Sequence, residues 1–88
     1  AIGYGSMFQN TTGTSNSALG YSALQANLTS TENTAIGFRA GYSATGSRNV
    51  FLGTQAGYNE TGNDKLYIAN TADTTPLISG DFATDTLR

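Results

Sequence analysis

Apolar and polar positions recur together along this chain with a fixed period. Aligned on one glycine, the triplets Ala1-Ile2-Gly3, Ala18-Leu19-Gly20, Ala35-Ile36-Gly37 and Phe51-Leu52-Gly53 form columns, and Tyr67-Ile68-Ala69 fits with alanine in the glycine slot. Successive anchors lie 17, 17, 16 and 16 residues apart. Three positions beyond the anchor come Ser6, Ala23, Ala40 and Ala56; five beyond it come Phe8, Gln25, Tyr42 and Tyr58. Each unit then enters a polar stretch such as Thr45-Gly46-Ser47-Arg48-Asn49. Glycine there supplies backbone freedom, and Ser, Thr and Asn are expected to bond their own turn.

A unit of 16 or 17 residues is too short for a helix pair, and a helix would carry a glycine inside every unit at about 1 kcal/mol each. The β-branched and aromatic triplets predict short strands. Units stacked about 4.8 Å apart would pair each strand with its own copy in the next unit. The predicted fold is therefore all-β: a parallel β-roll or β-helix-like solenoid of 16–17-residue repeats. Strand alternation places Ile2, Leu19, Ile36, Leu52 and Ile68 in one row, the expected core and intersubunit seam. Ala1, Ala18, Ala35, Phe51 and Tyr67 form the opposite row, and Arg39 is expected in solvent. The repeat covers residues 1–70. Residues 71–76 read as a turn and residues 76–82 as a closing strand, making 71–88 a capping and junction segment before a following domain.

Composition sharpens this reading. The chain has 88 residues, eleven of them glycine, with neither cysteine nor histidine. A domain this small buries little surface in excess of its ordering entropy, and neither disulfides nor zinc can staple it. Self-association is the remaining source of burial. The four basic residues (Arg39, Arg48, Lys65 and Arg88) are scattered, which argues against nucleic-acid binding. No apolar run is long enough for membrane insertion as a helix. Because the sequence starts inside a unit, at Ala1, it reads as a segment of something longer.

The residues offer little chemistry. Without His or Cys, the Ser/His and Cys/His nucleophile pairs are excluded. The carboxylate pairs Asp81 with Asp85 and Glu60 with Asp64 sit in polar, turn-rich context and read as solvated surface. Asn63, Asp64 and Asp73 lack the spacing of calcium-binding β-rolls. No catalytic residue, cofactor or metal is expected. Sequons at Asn10, Asn27 and Asn59 read as by-products of turn composition. The aromatic columns containing Tyr4, Tyr21, Phe38, Tyr42 and Tyr58 are expected to pack their rings and leave hydroxyls at the rim. The alternative is that these five rings form a stacking platform for glycans, with Tyr42 and Tyr58 as the candidates for surface binding.

The phrases Asn33-Thr34-Ala35-Ile36-Gly37-Phe38-Arg39-Ala40-Gly41-Tyr42 and Asn49-Val50-Phe51-Leu52-Gly53-Thr54-Gln55-Ala56-Gly57-Tyr58 resemble repeats of phage tail fibres and related surface proteins that end in an endosialidase-type intramolecular chaperone. Residues 65–70 and 76–82 are similar to the junction before that chaperone. The Asn-x-Ala-Ile-Gly pattern is also similar to the head repeats of trimeric autotransporter adhesins, which form parallel β-rolls packed as trimers. These resemblances imply an extracellular homotrimer, intertwined or packed side by side, on a virion tail fibre or a bacterial surface. The expected role is a structural shaft that positions a receptor-binding tip for host attachment, with any glycan or receptor bound by neighbouring domains. The alternative is an adhesin head that itself contacts cells or glycans.

Overall fold

The recurring triplets do become strands. The computed structural model describes residues 1–72 and 75–88, and its strands are β1 (Ser17–Leu19), β2 (Thr34–Ile36), β3 (Val50–Leu52), β4 (Lys65–Ile68), β5 (Ile78–Asp81) and β6 (Thr86–Leu87). They form one sheet in sequence order, and no helix occurs among the described residues. The chain is all-β. Pairing between β1, β2, β3 and β4 is parallel and follows the sequence columns: Ala18 faces Ala35, Ala35 faces Phe51, and Phe51 faces Tyr67. Ile2 bridges Leu19 in the same parallel sense. β5 and β6 then pair antiparallel, with Lys65 opposite Asp81, and the parallel run ends.

The glycine column explains how the strand turns its corner. Gly37 has φ of 131°, a conformation that L side chains rarely adopt. A Cβ built on it would lie 2.7 Å from the carbonyl of Gly53 in the next unit. Backbone thus meets backbone where units stack, and only hydrogen fits between them. Ala69 is tolerated in the slot because no further parallel copy lies beyond it, and it is not among the positive-φ residues.

Past the corner the chain runs through overlapping turns in which alternate amides bond differently. Ala40 and Tyr42 donate to Gly37 and Arg39 three residues back. Between them, Arg39 and Gly41 donate to Tyr21 and Ala56 in the neighbouring units. Positive φ at Arg39 and Gly41 produces that alternation. The same scheme recurs at Ser22 and Leu24, so a second wall is hydrogen-bonded from unit to unit without being a regular strand. Satisfying these amides internally is what allows the segment to be buried at all.

The polar turns also bond between units rather than within themselves. Asn16 Oδ1 accepts the backbone N–H of Asn33 at 3.0 Å, Asn33 Oδ1 that of Asn49 at 2.9 Å, and Asn49 Oδ1 that of Lys65 at 2.8 Å. The Nδ2 groups of Asn33 and Asn49 donate to the carbonyls of Gly46 and Gly62. Both side chains are fully buried. A buried amide that is fully partnered costs little, whereas an orphaned one costs about 1–3 kcal/mol, so this column pins the register. Lys65 ends it by pairing its Nζ with Asp81 at 3.1 Å in β5.

The face assignment expected from sequence is reversed inside the chain. The core consists of Ala18, Ala35 and Phe51 from the strands, against Ala23, Leu24, Ala40, Ala44 and Ala56 from the second wall. Ile2, Leu19 and Ile36 are exposed, and Leu52 and Ile68 are only half-buried. The reason is width. The glycine corner folds the second wall so close to the strands that mostly alanine fits between them, and the branched side chains are left outside.

Phe51 is the exception, and glycine makes its room. A Cβ on Gly57 would lie 2.1 Å from the Phe51 ring, and one on Gly41 would lie 2.8 Å from it. Two units earlier the arrangement is inverted: fully buried Leu24 occupies the column of Gly41 and Gly57, and Ala18 stands in the column of Phe51. Large and small residues exchange walls while the interior stays filled.

This exchange predicts a double-mutant result. Phe51→Ala should cost about 3–5 kcal/mol through the cavity it leaves. Gly57→Leu alone should overpack the core by at least as much. The pair Phe51→Ala with Gly57→Leu reproduces the Ala18 and Leu24 arrangement and should recover at least about half of either loss. Urea unfolding of the three variants checks this; additive losses in the pair contradict it.

Candidate functional site

The residue after each corner glycine lies between two positive-φ positions and is turned outward. Tyr4, Tyr21 and Phe38 occupy that column, with exposures of 80%, 44% and 43%. Their rings stack at centroid distances of 5.4 Å, nearly parallel at 14° and 13°. The unit spacing dictates this, because identical positions recur at about the thickness of a stacked ring pair. These rings are therefore displayed and not packed away, contrary to the expectation from sequence.

A second aromatic column holds Tyr42 and Tyr58, stacked at 4.9 Å and both half-buried. Between the two columns runs the line of Gly5, Ser22, Arg39 and Gln55. Arg39 is half-buried rather than solvated: on one side of it in that line Ser22, and Gly5 beyond it, are small and leave room for its side chain. Its guanidinium carbon lies 5.1 Å from the centre of the Phe38 ring and 5.5 Å from that of Tyr42. Such contacts favour a cation by roughly 0.5–2 kcal/mol. Its Nε is buried and has no hydrogen-bond acceptor. Among the described residues it belongs to no ion pair.

These residues enclose an open groove of about 340 Å³, lined chiefly by Tyr4, Tyr21, Ser22, Gln25, Arg39 and Tyr42. Of the two aromatic candidates from sequence, the groove includes Tyr42, whereas Tyr58 lines a separate recess with Glu60 and Tyr67. Arg39 was missed as a site residue, and the rings of Tyr4 and Tyr21, weighed from sequence as part of a stacking platform, were expected to pack instead. The recurrence of the column was visible, but the direction in which its rings point depends on the paired positive φ values.

Of the acidic candidates, Asp81, Asp64 and Glu60 are engaged in structural contacts. Asp81 pairs with Lys65, and its Oδ1 accepts the Ala83 N–H; these hold its carboxyl below the usual range, the Lys65 hydrogen bond foremost. Asp85 is exposed. Asp64 forms a 2.7 Å ion pair with Arg48, whose hydrogen bond lowers its pKa while raising that of the arginine. Asn63 Oδ1 accepts the Ser47 N–H. Asp73 lies outside the described residues. Of the three sequons, Asn27 is fully buried and its Nδ2 has no partner, because Ala44 stands where another asparagine would accept it.

Glu60 accepts the Tyr67 hydroxyl at 2.7 Å. Burial first, and then this hydrogen bond to a carboxylate, push the Tyr67 phenol from 10.0 up to about 12. The folded chain thus favours the neutral phenol. Its contribution to stability is complete below pH 10 and is lost as pH rises towards about 12. Tyr67→Phe should remove that part of the alkaline destabilisation while keeping the edge-to-face contact with Phe51. Melting curves across this range check it; equal alkaline slopes for both proteins contradict it.

No known protein family, curated protein or solved structure matches the chain.

Proposed function

We propose that this chain is a solenoid-type β shaft of an extracellular trimeric fibre, of the kind found in phage tail fibres, and that its work is mechanical. The observation that carries the reading is the outward row of Ile2, Leu19 and Ile36, continued by half-buried Leu52 and Ile68, along an in-register parallel ladder. A regular apolar stripe on a narrow all-β body is what lateral association of identical chains would cover. In this reading the row expected to be a core is the seam between subunits, and the alanine-lined interior belongs to each chain separately. Continuous backbone bonding from unit to unit supplies axial stiffness. β5, paired antiparallel onto β4, and β6, paired antiparallel onto β5, close the parallel stack.

The adhesin-head reading has one specific observation in its favour: the displayed Tyr4, Tyr21 and Phe38 column beside Arg39. In that reading the segment itself touches a cell surface. No enzymatic role is proposed, since each acidic side chain named above as a candidate that lies among the described residues is salt-bridged, hydrogen-bonded or fully solvated.

Sedimentation equilibrium at micromolar concentration should give a trimer of the 9.1 kDa chain; a monodisperse, cooperatively melting monomer contradicts the proposal. Ile36→Asp discriminates further. Ile36 is 44% exposed in the single chain, so a monomer should tolerate the change with a loss near 0.5 kcal/mol. Buried at a seam, the carboxylate should cost several kcal/mol and dissociate the trimer. Thr29→Asp, in an exposed turn, should leave assembly intact. Equal effects of the two substitutions on assembly would reject the seam.

A further inference from the structure

We infer that the groove between the two aromatic columns is a binding site for a carboxylate-bearing sugar of the uronic-acid class, with Arg39 as its anion anchor. This goes beyond the shaft role and applies to the chain whether or not it trimerises. Arg39 is the starting point. A half-buried guanidinium whose Nε has no acceptor, and which no carboxylate pairs among the described residues, lacks a counter-ion. The other two cations inside the repeat and β4, Arg48 and Lys65, are both paired. Arg39 lies instead over the faces of Phe38 and Tyr42 and lines the groove. A planar guanidinium is suited to a carboxylate through paired N–H···O bonds.

The rest of the groove selects a sugar over a bare anion. Tyr4 and Tyr21 bring exposed aromatic surface to the groove. An open aromatic face matches the C–H face of a pyranose ring. Ser22, the Gln25 amide and the Tyr42 hydroxyl supply donors and acceptors around that face for sugar hydroxyls. A groove of about 340 Å³ accommodates one or two sugar residues. Because the floor is Gly5 and Ser22, the ligand can reach Arg39 without displacing a large side chain.

The test titrates the purified chain with trigalacturonic acid and, in parallel, with neutral maltotriose, following backbone amide shifts. The acidic sugar should give saturable shifts confined to Tyr4, Tyr21, Ser22, Gln25, Arg39 and Tyr42. Maltotriose should bind at least about tenfold more weakly, the usual scale of one charge-assisted bond. Arg39→Gln should weaken the acidic ligand about tenfold or more. Tyr4→Ala, at the exposed end of its column, should weaken both sugars without touching the core. Arg48→Gln, a cation outside the groove, should change nothing. Equal responses to the two sugars, an equal loss in Arg48→Gln, or no shift up to about 10 mM ligand would overturn the inference. So would an oligomer that dissociates in Arg39→Gln and whose Arg39 is closed to ligand, since the counter-ion would then come from a second copy.

Discussion

Where successive units meet at the glycine corner, the backbone of one lies against the backbone of the next with room only for hydrogen. A Cβ on Gly20 or Gly37 would fall 2.6 or 2.7 Å from the neighbouring unit's backbone. That closeness fixes several things together. It sets the register, because only the column of glycines can face itself. It brings alternate amides of the second wall within reach of the adjacent units, so that a segment of consecutive turns becomes a bonded wall. It also aligns Asn16, Asn33 and Asn49, whose carbonyl oxygens each accept the next unit's N–H. The constraint relaxes only at Ala69, where the parallel order stops.

Narrowness is the cost of that approach, and most of the surface chemistry follows from it. An interior filled by Ala18, Ala35 and their partners cannot hold a branched side chain in every unit. Isoleucine and leucine are displaced outward, where they form a stripe suited to association. Phe51 enters only where Gly41 and Gly57 leave space. On the far side of each corner the same stacking holds aromatic rings in the open, 5.4 Å apart. One period thus generates an apolar stripe and a displayed aromatic ladder on the same small body.

Much of this was legible in the sequence. The columns anchored on Gly3, Gly20, Gly37 and Gly53 gave the strand pairing residue for residue. The face that points inward was not legible, because alternation divides a strand into two rows without ranking them. Ranking needs the width of the interior, and the clue lay in facing columns of small residues: Ala18 and Ala35 on one wall, Ala23, Ala40 and Ala56 on the other. The asparagines were visible as a column, but their bonding to the next unit instead of their own turn required the stack. Arg39 was read as solvated because a lone charge usually is; Gly5 and Ser22 in its own line were the signal that it could lie down.

Bonding from unit to unit outside the regular strands is what turns the consecutive turns into a second wall. Amide hydrogen exchange measures it directly. Gly37 and Arg39 lie beyond the end of β2, yet their N–H groups donate at 2.8 Å to Leu19 and Tyr21 of the preceding unit. Their amides should exchange as slowly as that of Ile36 within the strand, at rates set by global unfolding, together with Gly53 and Gln55 one unit on. Exchange of Arg39 and Gln55 at the rate of an exposed loop, with the strand amides still protected, would contradict the stack on which the whole reading rests.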